Sequence, residues 1–257
     1  MKAICDDLEA ETAALRAVVA NLTEEQWRLA TPAAGWDTHE TVVHLGQADW
    51  AASLAVLDQT GFGDLKTAMS SGGSDLARAA EADIDSMSGA EVWAWFENER
   101  ARMIAAFREL GAKDRIPWFG PDMSALSFAT ARLMETWSHG ADVADTFGSP
   151  WPDTDRLRHV AHIGVTTRGW SYVNRGLPVP EGNVRVELTS PSGEVWAWGP
   201  EDAESTVTGP ALDFCLLATQ RRHRSEVNLV GTGALADEWL DIAQAFAGPA
   251  TDTRGPS

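Results

Sequence analysis

Apolar residues recur at three- and four-residue intervals through the first 150 positions, and that spacing predicts a run of helices. Ile4, Leu8, Leu15, Val18, Val19 and Leu22 form the first stripe, in a helix placed over residues 1–30. Within that span Thr23 precedes Gln26 by three residues, a capping-box spacing that marks a break and a fresh start before Trp27. A loop by composition follows, Thr31-Pro32-Ala33-Ala34-Gly35. A second helix is expected over residues 38–59, capped by Asp37 or Thr38, with Val42, Val43, Leu45 and Trp50 on its apolar side. Glycine- and serine-rich stretches at 60–64 and 70–74 read as a polar linker. Val92, Trp93, Phe96, Met103, Ile104 and Phe107 line a third helix over residues 89–110, on which Glu99 and Arg102 read as a surface ion pair. A fourth helix is placed over residues 124–147, stopped by Gly148 with Pro150 beyond it.

The pattern then changes. Gly148-Ser149-Pro150-Trp151-Pro152 is the best boundary in the chain. One helix is expected over residues 156–174, whose His159 and His162 read as ordinary helix residues. Residues 184–189 alternate with period two, Pro191-Ser192-Gly193 makes a turn, and residues 195–198 return as the second strand of a hairpin. Residues 205–208 and 226–230 suggest further strands, and residues 210–221 and 235–246 further helices. The expected fold is α+β overall: a four-helix bundle over residues 1–150, a smaller α+β domain over 151–248, and a disordered tail over 249–257.

Candidate chemistry sits on the fourth helix. Glu135 and His139 are four residues apart, which stacks a carboxylate and an imidazole on one helix face. Asp142 stands a further turn down the same side, as an outer-sphere partner orienting a histidine or as a surface carboxylate. His44 lies among the apolar residues of the second helix, where an imidazole needs a partner. Together His44, Glu135 and His139 make a three-ligand set, the kind that leaves a coordination position open in catalytic zinc sites. His39 is expected to be exposed and not a ligand, because five residues from His44 is a poor spacing for sharing a face. Ile116-Pro117-Trp118-Phe119-Gly120-Pro121-Asp122 reads as a rigid aromatic loop, either a lid on the bundle or one wall of a pocket.

The residues Trp36, His44, Leu45 and Asp49, followed by Glu135, Trp137, His139, Gly140, Asp142, Val143, Ala144 and Asp145, resemble the mycothiol-dependent maleylpyruvate isomerase family. Its N-terminal domain is a DinB-like metal-binding four-helix bundle, and the C-terminal part of this chain resembles that family's α+β domain more loosely. The resemblance implies that His44, Glu135 and His139 bind a divalent metal, usually zinc. It also implies a low-molecular-weight thiol, mycothiol, as co-substrate. In the isomerase, thiolate addition to a cis-enedioate permits bond rotation and then elimination. An isomerase or S-transferase acting on a small electrophile is therefore expected. A metal-dependent hydrolase and a non-catalytic metal-binding regulatory module use the same residues.

Composition narrows the partners. A net charge of −18 argues against nucleic acid or an anionic membrane. No run of eighteen apolar residues occurs and no signal pattern opens the chain, so a soluble cytoplasmic protein, monomer or homodimer, is expected. Cys5 and Cys215 are too few and too distant for a disulfide framework. Arg221-Arg222-His223-Arg224 is the one compact basic cluster. Through Arg222 it can meet an anionic substrate; equally, it can serve as favourable charge at a helix C-terminus.

Overall fold

The computed structural model describes residues 1–70 and 84–251, and the chain divides into two compact units, Met1–Trp151 and Pro152–Ser257. In the first, α1 (Lys2–Val19), a one-turn α2 (Glu24–Trp27), α3 (Thr38–Leu57), α4 (Gln59–Ser70), α5 (Gly89–Arg108) and α6 (Ala125–Thr146) follow in order. The four long helices, α1, α3, α5 and α6, pack as a bundle, with α3 against α5 and α1 against α6 as the largest contacts. Side-chain caps fix where α2, α3 and α5 start. Asp37 accepts from the Glu40 amide at 2.8 Å while Glu40 accepts from the Asp37 amide at 2.8 Å, and Thr23 with Gln26 and Ser88 with Glu91 form equivalent boxes. Leu15, Val42, Leu45, Val92, Phe96 and Val143 fill the centre of the bundle at zero exposure.

The second helix differs from the sequence expectation. It stops at Leu57, and the stretch containing Gly61 and Gly63 forms α4 instead of a linker. Buried Phe62 and Leu65 hold it: tertiary packing outweighs two unfavourable glycines. Residues 71–74 of the expected linker lie outside the described residues. A two-residue antiparallel ladder, β1 (Arg115–Ile116) with β2 (Met123–Ser124), closes the aromatic loop that precedes α6. Trp118 stacks on Phe62 at 5.8 Å and meets Phe128 edge-on at 4.5 Å.

The second unit carries α7 (Leu157–Thr166) and α8 (Arg168–Val173), split at Thr167 where one helix was expected. The mixed sheet of β3 (Val184–Thr189), β4 (Val195–Trp198), β5 (Ser205–Pro210) and β6 (Val230–Thr232) has the order β4-β3-β5-β6, with β3 and β5 parallel. α9 (Ala211–Ala218) and α10 (Ala234–Ile242) pack with it, Phe214 lying against Trp239. The strands of the β3–β4 hairpin have the expected bounds, whereas the strand expected at residues 226–230 forms at Val230–Thr232. Of the tail expected to be disordered, Pro249 and Thr251 are fastened: the Pro249 carbonyl accepts from Gln244, and the Thr251 carbonyl from Gln220 and Arg175. Residues 252–257 lie outside the described residues.

Glycine positions admit a direct comparison. A Cβ at Gly89 would fall 2.2 Å from Cγ of Trp27, the buried base of a ring that cannot swing away, whereas Gly63 on exposed α4 has nothing within 4 Å. Gly89→Ala should therefore lower stability by about 1–3 kcal/mol through overpacking. Gly63→Ala should raise it by up to about 1 kcal/mol through lost chain entropy. Urea unfolding of both variants checks the pair, and equal shifts would contradict the packing described.

Candidate metal centre

Three side chains from two helices converge inside the first unit. His44 comes from α3, and Glu135 and His139 from α6. Nε2 of His44 lies 3.3 Å from Oε2 of Glu135, and Nε2 of His139 lies 3.5 Å from the same oxygen. One ligand atom from each of the three residues lies within 4.8 Å of the other two. Two ligand atoms held tetrahedrally at about 2.0–2.1 Å from one ion sit about 3.3–3.4 Å apart. The spacing and the donor set, two imidazoles and a carboxylate, therefore fit a divalent cation such as zinc.

Surroundings decide what each group does. Side-chain exposure is 33% at His44, 23% at Glu135 and 10% at His139, so the cluster opens toward solvent on the His44 side. Asp142 is fully buried, and its Oδ2 lies 3.2 Å from Nδ1 of His139. Of the two sequence readings of Asp142, the surface carboxylate is thereby excluded. With a cation bound, a proton kept at Nδ1 by that carboxylate would leave the Nε2 lone pair free for the metal.

Trp36 covers the imidazoles, with its ring centroid 4.6 Å from that of His44 and 5.3 Å from that of His139. The preceding loop is closed by the Ala30–Asp37 bridge. The Trp36 carbonyl accepts from both the amide and the hydroxyl of Thr31, at 2.8 and 3.0 Å, and Gly35 supplies the φ of +83° that the turn requires.

Burial pushes the His44 imidazole below its ordinary value, the hydrogen bond to Glu135 opposes this, and the neighbouring His139 and the Arg132 guanidinium add to it. For Glu135, burial alone would raise the carboxyl. Hydrogen bonds to His139 and His44 outweigh it and hold the group well below the usual carboxylate range. The carboxylate is therefore ionised at neutral pH.

Other sequence expectations fall differently. His39 is 1% exposed and not on the surface, with Nε2 3.0 Å from the Met87 carbonyl, and it stands outside the ligand cluster. Glu99 is 7% exposed although it does lie 3.9 Å from Arg102. Arg222 belongs to the second unit, after α9, where its Nη1 donates to the Arg221 carbonyl at 2.9 Å. In the same cluster Arg224 is engaged by Asp237 and Asp241. Missed altogether was a buried ionic network beside the ligands, built on Asp49, Arg100 and Arg132. Its signal was present: Arg100 stands in the apolar stripe Phe96–Met103–Phe107, and Arg132 precedes Glu135 by three residues.

A family model described as mycothiol maleylpyruvate isomerase N-terminal domain matches residues 8–144. That span contains all three candidate ligands and covers more than half the chain. The chain belongs to this family. A second model, described as wyosine base formation, matches residues 180–230, from just before β3 to the first residue of β6. Two uncharacterized proteins of Mycobacterium tuberculosis, from strains CDC 1551 / Oshkosh and H37Rv, are each 44% identical over 243 residues, covering 95% of this chain and 95% of theirs. Among solved structures, a mycothiol-dependent maleylpyruvate isomerase superposes with a TM-score of 0.58 at 17% identity, over 90% of this chain and 92% of that one. A histidine-to-alanine mutant of the isomerase gives 0.56 over the same shares. At this identity the family member and the isomerase share an α+β fold.

The lowered His44 fixes the sign of a pH effect. An imidazole whose folded pKa lies below the unfolded value of about 6.5 gives stability that is complete above 6.5 and lost as pH falls toward the folded value. Glu135, depressed below the carboxylate range, stays ionised throughout that window and adds to the loss only at lower pH. With a chelator present, stability should drop between about pH 7.5 and 5.5, and less steeply in His44→Gln. Urea midpoints across that range check it; parallel slopes would contradict the assignment to His44.

Proposed function

We propose that His44, Glu135 and His139 hold one divalent cation, zinc by donor type, and that the protein is an enzyme using a low-molecular-weight thiol such as mycothiol to isomerise a small electrophile. One observation carries the reading: two imidazole nitrogens lie 3.3 and 3.5 Å from one carboxylate oxygen, with the His44 side open, in a chain belonging to a mycothiol isomerase family. A cation bound there would supply Lewis acidity, lowering the pKa of a thiol so that thiolate exists at neutral pH.

The chain's own groups supply the rest. Asp142 would hold a proton at Nδ1 of His139 and fix the ring, while Trp36 packs against both imidazoles. Neither cysteine of the chain is suited to act as the nucleophile. Both are buried, and burial pushes the Cys5 thiol up and the Cys215 thiol well above its ordinary value. An external thiol is therefore the consistent nucleophile. It adds to an electrophilic double bond, rotation follows about the resulting single bond, and elimination restores both the thiol and the double bond.

We assign the two compact units as a metal-binding bundle over residues 1–150 and an α+β domain over residues 151–248. In the second, Arg222 is our proposal for the group that meets a substrate carboxylate.

Metal analysis of the purified protein should find one divalent ion per chain, lost in His44→Ala and His139→Ala; full occupancy in both variants would refute the ligand assignment. Turnover should require added thiol, saturate with it and stop on chelation, and equal rates with mycothiol, glutathione and no thiol would refute the thiol role. Arg222→Ala should keep its metal and raise KM for an anionic electrophile about tenfold or more.

A further inference from the structure

Beneath the ligand cluster lies an ionic network that reaches all four long helices. Asp49 on α3 is fully buried, with Oδ2 2.5 Å from Nε of Arg100 on α5 and Oδ1 3.0 Å from Nε of Arg132 on α6. Arg100 donates onward to Thr12 on α1 at 2.7 Å and to Thr136 on α6 at 2.9 Å. Arg132 also donates from Nη2 to the Leu45 carbonyl at 3.3 Å. Arg132 thus grips α3 at two points, one adjacent to His44 and one a turn beyond it. It stands three residues before Glu135 on the same inward stripe of α6.

We propose that Arg132, anchored on Asp49, is a positioning residue for the metal centre, fixing the register of α6 against α3 and hence the separation of Glu135 from His44. The inference rests on the metal reading above. Magnitudes support a role in register. A one-residue slip moves a helix about 1.5 Å along its axis, whereas metal sites tolerate ligand displacements of about 0.2 Å. Apolar packing alone leaves small axial shifts inexpensive, and two charge-assisted contacts of fixed fork geometry do not. Arg100 serves the same carboxylate from α5, which carries none of the three ligands, and keeps Asp49 from turning away.

The test compares Arg132→Lys and Asp49→Asn with Thr12→Val, using the full chain, zinc competed against a chromogenic chelator, and the absorption spectrum of the cobalt-loaded protein. Lysine keeps the charge but loses the fork; asparagine keeps the shape but loses the charge. Thr12→Val removes an acceptor for Arg100 on α1, a helix that carries no ligand. Both Arg132→Lys and Asp49→Asn should stay folded, bind zinc about tenfold to a hundredfold more weakly and shift the cobalt spectrum. Thr12→Val should lower the melting temperature while matching the wild type in zinc affinity and spectrum.

Unchanged affinity in Arg132→Lys and Asp49→Asn would overturn the inference while leaving the metal reading intact. Unfolding of both would also overturn it, because the pair would then be a brace and not a positioning device. A wild-type chain that binds no zinc or cobalt would overturn the metal reading first and the inference with it.

Discussion

Asp49 is a carboxylate with no exposed surface, inside a bundle whose apolar centre includes Leu15, Val42, Leu45, Val92 and Phe96. Removing such a group from water costs several kcal/mol, and only close, well-directed partners offset it. Two guanidinium groups provide them, and each has further acceptors at Thr12, Thr136 or the Leu45 carbonyl. Because these partners come from α1, α5 and α6, the charge is satisfied only when all four long helices are in place. Hydrophobic burial supplies the drive to form the bundle but is non-directional. The carboxylate makes one arrangement of the helices better than its neighbours.

The inward stripe of α6 arranges this in layers. Arg132, Glu135, His139 and Asp142 follow at intervals of three, four and three residues, so one helix face presents a structural cation, two candidate ligands and a buried carboxylate in turn. Each layer is met from α3 or from the stripe itself: Arg132 by Asp49, Glu135 by His44, and His139 by Asp142. Each of these side chains therefore has an oppositely charged or hydrogen-bonding neighbour.

Much of this was legible in the sequence because it depends on local rules. The four-residue spacing of Glu135 and His139, the capping pair Thr23–Gln26, the cap at Asp37 and the alternation at residues 184–189 require no knowledge of distant contacts. What escaped depends on tertiary context. α4 contains two glycines and is held by burying Phe62 and Leu65, which propensity does not register. His39 reads as exposed on a two-faced helix, but α3 is covered on more than one side. Asp49, Arg100 and Arg132 each resemble a surface charge alone, and their burial follows from meeting one another across three helices. The interruption of an apolar stripe by Arg100 is the one local trace of that meeting.

Tryptophan rings set in glycine notches recur in the bundle: Trp95 against Gly46, Trp27 against Gly89 and Trp151 against Gly140, with an added Cβ meeting each ring at 2.1–2.3 Å. Gly46 lies two residues from His44, and Gly140 follows His139 directly. A notch and its ring therefore form one packing unit. A larger residue at a notch requires its ring to shift or to be replaced by a smaller side chain, so the two positions should change together. Two of those notches border His44 and His139, so a change at either acts on the backbone next to a candidate ligand.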